Sequence, residues 1–148
     1  NQACKQRNNN NYKKPNIKTF EQIKEELIYC YKQGSRFVDF EGGEPFIWED
    51  GEKRVDDLID LAKSIGFYSC TITTNAQRPF INSHADSIWV SLDGVGEYHE
   101  RIRGKGAFAK LEQNISTCNH KALSVNMAIN TLNYESVAKT IEYAKNSP

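Results

Sequence analysis

The chain has 148 residues, 39% of them hydrophobic and 26% charged, which suits one packed domain and excludes wholesale disorder. Nineteen lysines and arginines balance nineteen aspartates and glutamates, which argues against both a basic nucleic-acid footprint and an acidic tail. Mean hydropathy is −0.66, and no apolar run approaches the ~20 residues that span a bilayer.

Residues 1–16 are polar and patternless, with Asn8-Asn9-Asn10-Asn11 followed by Lys13-Lys14-Pro15, and read as a loop. Thr19 with Gln22 three residues on forms a capping box. Phe20, Ile23, Leu27 and Tyr31 then fall on one face of a helix that Gly34 ends. A short strand is expected over 36–40. Val55, Leu58, Ile59, Ala62 and Ile65 repeat at helical spacing, and Gly66 stops that helix. The β-branched run over 68–74 reads as a second strand. A connection containing Pro79 leads to a third strand over 87–92. The segment from Ser91 to Gly104 follows that strand and precedes a helix marked by Phe108, Leu111, Ile115 and Cys118. A fourth strand is expected over 122–129, and Val137, Ile141 and Ala144 mark a last helix before Pro148. Such alternation places the chain in the α/β class, with parallel strands and right-handed crossovers. Four strands are too few to close a barrel of about eight, so the sheet is open or is completed by strands outside this sequence.

The four cysteines Cys4, Cys30, Cys70 and Cys118 contain no C-x-x-C pair, and their wide spacing is unlike a secreted disulfide framework. Cys30 and Cys118 fall in helical patterns and Cys70 in a strand pattern, so these three are expected to be reduced core thiols.

Ligands of parallel α/β folds sit at the carboxyl ends of the strands. Here those ends are polar: Glu41-Gly42-Gly43-Glu44-Pro45, then Thr73-Thr74-Asn75, then Ser91-Leu92-Asp93-Gly94, then Asn126 and Asn130. One reading is a small-molecule site, and the other is ordinary turn chemistry. Gly42 and Gly43 let backbone groups approach a ligand without Cβ interference, and Glu44 supplies a negative charge suited to an ammonium group. Arg103, followed by Gly104, can clamp a carboxylate at two points, or it can pair with Glu97 or Glu100. His99 reads either as an acid or base or as a helix cap or structural hydrogen-bonder. Gly104-Lys105-Gly106 lacks the spacing of a P-loop.

The segments FVDFEGGEP (37–45), Thr73-Thr74-Asn75 and VSLDGVGEYHERIRG (90–104) together resemble the radical S-adenosylmethionine (radical SAM) enzymes. The resemblance is to the branch containing molybdopterin-precursor synthases, sulfatase-maturing enzymes and peptide-modifying enzymes with SPASM-type auxiliary-cluster tails. It implies a partial (β/α)6, TIM-like barrel in which these strands are the second to fifth, with the first and last strands outside this sequence. The implied activity is reductive cleavage of S-adenosylmethionine at a 4Fe-4S iron–sulfur cluster, giving a 5′-deoxyadenosyl radical that abstracts hydrogen from a substrate. The resemblance assigns Gly42, Gly43 and Glu44 to the methionyl amino end, with Glu41 helping that strand edge meet the cofactor. Asn75 and Ser91 would contact the ribose or methionyl portion, Arg103 the carboxylate, and Asn126 the cofactor or substrate. Asp93 is a further candidate that equally suits shaping the turn.

The family's cluster motif is C-x3-C-x2-C, and Cys4 fits as its middle, metal-ligating cysteine. The first would then fall before Asn1, and the third at Arg7, which cannot ligate iron as a thiolate does. The expectation is that cluster-loop residues are missing from this sequence after Gln6, rather than that the cluster has been lost. Residues 1–16 are thus expected to be a cluster-loop remnant, and 17–148 an incomplete radical SAM core domain. Implied partners are a peptide or small-molecule substrate and an electron donor such as ferredoxin or flavodoxin, with no membrane or nucleic acid, in the cytoplasm. The alternatives are a noncatalytic SAM-, peptide- or nucleotide-binding module on this scaffold, and an iron-free enzyme using Glu41, Glu44, Asp93 and His99.

Overall fold

The computed structural model describes residues 17–147; Cys4 and the expected cluster loop lie outside the described residues. Helix α1 (Phe20–Lys32) begins at the expected capping box, with the Gln22 N–H donating to Thr19 Oγ1 and the Thr19 N–H to Gln22 Oε1. Strand β1 (Phe37–Phe40) follows, then α2 (Val55–Ile65), which Gly66 terminates as expected. Strands β2 (Ser69–Thr74) and β3 (Ser87–Ser91) come next. Helices α3 (Glu97–Arg103) and α4 (Ala107–Ser116), strand β4 (Leu123–Asn126) and helix α5 (Val137–Asn146) complete the order.

The sheet runs β1-β2-β3-β4, parallel throughout. Register aligns Val38 with Cys70, Phe40 with Ile72, Ile72 with Ile88 and Ile88 with Leu123. These side chains share one face and pack with Leu27 of α1, Ile59 of α2 and Leu111 of α4 in a single core. Ile59, Ile72, Ile88 and Leu111 are 0% exposed, so truncating any of them to alanine costs about 2–5 kcal/mol. Strand order follows chain order, and helices α1, α2, α4 and α5 contribute to the core on this one face. The alternating residues, among them Asp39, Thr71, Thr73, Trp89 and Asn126, point away from that core. A doubly wound sheet would bury both faces. This one buries one face, and the architecture is an α/β wall of a partial (β/α), TIM-like barrel.

The structure corrects four sequence expectations. The segment before α4 contains a helix, α3, that the apolar pattern did not announce. Strand β4 is shorter than 122–129 and ends at Asn126, so Asn130 lies beyond it. Cys30 is exposed, not a core thiol: the buried stripe of α1 follows Ile23, Leu27 and Tyr31, and Cys30 is rotated off it. Cys118 lies past the end of α4, half-buried, with the His120 N–H pointing at its Sγ. Cys70 is buried as expected, and burial, reinforced by Asp86 against the opposing charge of Lys63, pushes its thiol pKa up. No helix of the described residues is long and apolar enough to cross a membrane.

Candidate functional site

The first strand exit turns through Gly42 (φ +87°) and Gly43 (φ +66°), a left-handed pair that side-chain-bearing residues adopt only with strain. Space is open where a Cβ would stand at either glycine. Glu44 then returns to extended backbone and caps a 3-10 turn over Pro45–Ile47, accepting from the Phe46 N–H at 3.3 Å. Its carboxylate reaches the neighbouring strand end. Oε1 accepts from Thr74 Oγ1 at 2.6 Å, and Oε2 from the Asn75 N–H at 2.8 Å. Glu44 is only 6% exposed. Three neutral donors therefore hold a buried carboxylate with no cation paired to it among the described residues. Stacking of Phe46 on Phe80 (5.6 Å) and donation from Trp48 Nε1 to the Lys18 carbonyl (3.0 Å) anchor the turn below.

At the second exit, Asn75 Oδ1 accepts from the Gln77 N–H at 2.9 Å, and Ala76 takes φ +55° in a fully buried position. Gln77 Nε2 donates to the Ala107 carbonyl and Asn114 Nδ2 to the Ala76 carbonyl, which ties this exit to α4.

The third exit is built around Asp93, which is 0% exposed. Its Oδ2 accepts from Arg103 Nε at 2.6 Å and its Oδ1 from the Ala128 N–H at 3.2 Å. Its backbone N–H donates to His99 Nδ1 at 3.1 Å, and its carbonyl accepts from Asn133 Nδ2 at 2.9 Å. One residue thus joins the end of β3 to α3 and to the chain beyond β4. Gly94 makes that junction possible. Its φ is +145°, and a Cβ there would stand 2.6 Å from Tyr98 Cβ and 2.9 Å from Ser136 Oγ.

Because His99 Nδ1 accepts a hydrogen bond, its proton sits on Nε2, a buried atom with no hydrogen-bond partner among the described residues. Burial lowers its pKa to about 4; the Arg103 charge adds to this, while Asp93 and Glu100 oppose it. His99 is therefore a neutral structural hydrogen-bonder at physiological pH, the second of its two sequence readings.

Arg103 pairs with neither Glu97 nor Glu100. Glu97 takes Arg101 at 2.9 Å, and Glu100 Oε1 accepts from the Gly106 N–H. The Arg103 side chain is 14% exposed, and its two Nη groups have no partner among the described residues. Ser91 lies directly opposite Asn126 in register, on the face away from the core. Glu41 is exposed beside the glycine pair. Asn130 shapes the turn after β4, accepting from the Leu132 N–H and donating its own N–H to Asn133 Oδ1. The sequence reading missed Asn133, although Asn130 and Asn133 bracket a short polar turn of the kind asparagine side chains close.

Fold and rim together define a barrel-type domain with a buried carboxylate at the exit of β1 and a guanidinium held by Asp93 at the exit of β3, on the same end of the sheet. The chain belongs to the radical SAM superfamily, whose family model matches residues 3–145. No curated protein matches it. Members of this family use S-adenosylmethionine and a 4Fe-4S cluster. The described residues fit the amino-acid end of that cofactor, since a buried carboxylate without a counter-cation suits an ammonium and two unpartnered Nη groups suit a carboxylate. Among the described residues no group of three or more histidine, cysteine or acidic side chains is placed to hold a metal, and Cys4 lies outside them.

Proposed function

We propose that this chain is the core of an enzyme that cleaves S-adenosylmethionine reductively and uses the product to take hydrogen from a peptide or small-molecule substrate. The observation that carries this reading is that the left-handed Gly42-Gly43 turn with Glu44 at the exit of β1, and Arg103 held through Nε by Asp93 at the exit of β3, lie at the same end of one parallel sheet. When bound, the cluster would supply one electron to the sulfonium, which separates into methionine and a 5′-deoxyadenosyl radical that becomes 5′-deoxyadenosine on taking hydrogen. The chain's own residues bind and orient. Backbone groups at Gly42 and Gly43 meet the methionyl ammonium, and Glu44 fixes the shape and charge of that loop. Arg103 meets the carboxylate through its Nη groups while Asp93 holds Nε, a two-sided use of guanidinium that lysine cannot reproduce. Asn75, Ser91 and Asn126 offer hydrogen bonds along the same edge, and Glu41 flanks the glycine pair. Asp93 acts here as a positioning residue.

The segment 90–104 supports placement in the branch of molybdopterin-precursor synthases, sulfatase-maturing and SPASM-type peptide-modifying enzymes. Cys4 is proposed as one cluster ligand, and ferredoxin or flavodoxin as the class of electron donor. A cytoplasmic location is proposed on the wide spacing of the four cysteines, unlike a secreted disulfide framework. A noncatalytic module on the same scaffold is favoured by one observation, Arg7 at the position of the third cluster cysteine. Anaerobic reconstitution of the whole gene product with iron and sulfide, followed by reduction, separates the two. Formation of 5′-deoxyadenosine and methionine is expected. Binding of S-adenosylmethionine without cleavage would favour the module, and cleavage that survives strict chelation would overturn both.

A further inference from the structure

The sheet face away from the core has a chemistry of its own below the rim. Asp39 and Glu41 alternate outward from β1 and the residue after it, while the outward positions of β2, β3 and β4 carry serine, threonine, tryptophan and asparagine. Nineteen lysines and arginines are distributed over the chain, yet none occupies an outward position on these strands. Asp39 is exposed, and two threonines of the adjacent strand hold it. Its Oδ1 accepts from Thr71 Oγ1 at 2.7 Å and its Oδ2 from Thr73 Oγ1 at 2.9 Å. Those bonds fix the carboxylate and use about half of its roughly four acceptor positions. No cation pairs with Asp39 among the described residues. Thr73 lies in register with Trp89, on the far side of the fork. Trp89 is 41% exposed, unusual for so large a ring in the middle of a sheet, and its indole N–H has no partner among the described residues.

Thr73 alone separates this preorganised carboxylate from the exposed indole, and a carboxylate and an aromatic ring at that spacing can receive the two parts of an organic cation. The charge is met by the carboxylate, and the alkyl or planar part by the ring face. We propose that this face takes a cationic group of the substrate, an ammonium or a guanidinium, with Asp39 as its counter-ion and Trp89 as its aromatic wall. This deepens the proposed function by naming the substrate's chemistry, and rests on that reading only for the word substrate. Phe37, the other outward residue of β1, adds an exposed aromatic ring to this face, and the carboxylates on it disfavour anionic substrates.

The test is an NMR titration of the whole chain with lysine amide and arginine amide, using norleucine amide and citrulline amide as counterparts with uncharged side chains, at constant ionic strength. The expected result is saturable movement of the Trp89 indole N–H signal by at least one charged probe, with its neutral counterpart at least about tenfold weaker. Which charged probe binds tighter distinguishes an ammonium from a guanidinium pocket. Asp39→Asn, read at the Trp89 indole N–H, and Trp89→Leu, read at the Thr71 and Thr73 backbone N–H signals that also report on the wild type, are each expected to weaken the charged probe about tenfold or more. Equal response to charged and neutral probes, no response to any, or unchanged affinity in both variants overturns the proposal. S-adenosylmethionine titrated into the same samples reports on the rim separately, so either reading can fail alone.

Discussion

Two buried acids shape the rim, and they are stabilised in opposite ways. Glu44 is held by a hydroxyl and two backbone N–H groups, all neutral, with no cation paired to it among the described residues. Asp93 is held by a guanidinium, so its own charge is cancelled, and what survives is the outer half of Arg103. The same residue class thus yields a carboxylate without a counter-cation at one strand end and a neutral ion pair with spare guanidinium donors at another, depending only on the donor supplied. An amino-acid group carrying both an ammonium and a carboxylate requires that pattern.

Variants that remove one acid at a time separate the two modes. Asp93→Ala is expected to have the largest effect, about 3–5 kcal/mol of lost stability, because it leaves Arg103 largely buried and unpaired. Denaturant unfolding measures it, and a loss under about 1 kcal/mol would mean the pair is solvated. Glu44→Ala is expected to cost about 3 kcal/mol by the same measurement, since it strands the Thr74 hydroxyl and two backbone donors. Glu44→Gln, which keeps acceptor geometry on one oxygen and removes the charge, is expected to restore part of that stability.

His99 sharpens the contrast because it serves the Asp93 side alone. Its folded pKa of about 4 lies below the ordinary 6.5, so the unfolded chain binds the extra proton between those values. The stability it contributes is complete above pH 6.5 and is lost as pH falls toward 4, by at most about 3 kcal/mol. Unfolding curves over that window test this, and His99→Asn is expected to flatten the slope. Gly94→Ala has the smallest expected effect, about 2 kcal/mol from overpacking against Tyr98 and Ser136. Its thermal midpoint should fall while the Glu44 side stays intact.

How much of this the sequence disclosed follows from the range of each interaction. Helices α1 and α2 were legible because the Thr19–Gln22 capping box of α1, the apolar spacing of both and the stop at Gly66 are local. The GGEP segment was legible for the same reason. Helix α3 was not: it has seven residues, it starts and ends at glycines in unusual backbone conformations, and its buried positions include a histidine. The Arg103–Asp93 pair spans a turn and that unforeseen helix, so acids on the helix itself looked like nearer partners. The apposition of Ser91 and Asn126 depends on strand register, which the whole sheet sets. The exposure of Cys30 turns on the narrow stripe of α1, which composition does not reveal.

The central claim is that the Glu44 loop and Arg103 together grip the amino-acid end of S-adenosylmethionine. Backbone and guanidinium NMR signals of the chain titrated with S-adenosylmethionine test it most directly. The account predicts saturable shifts at Asn75 N–H and Arg103 Nε–H, competed by methionine and weakened about tenfold in Arg103→Lys. Saturable binding that leaves both signals unmoved would contradict it.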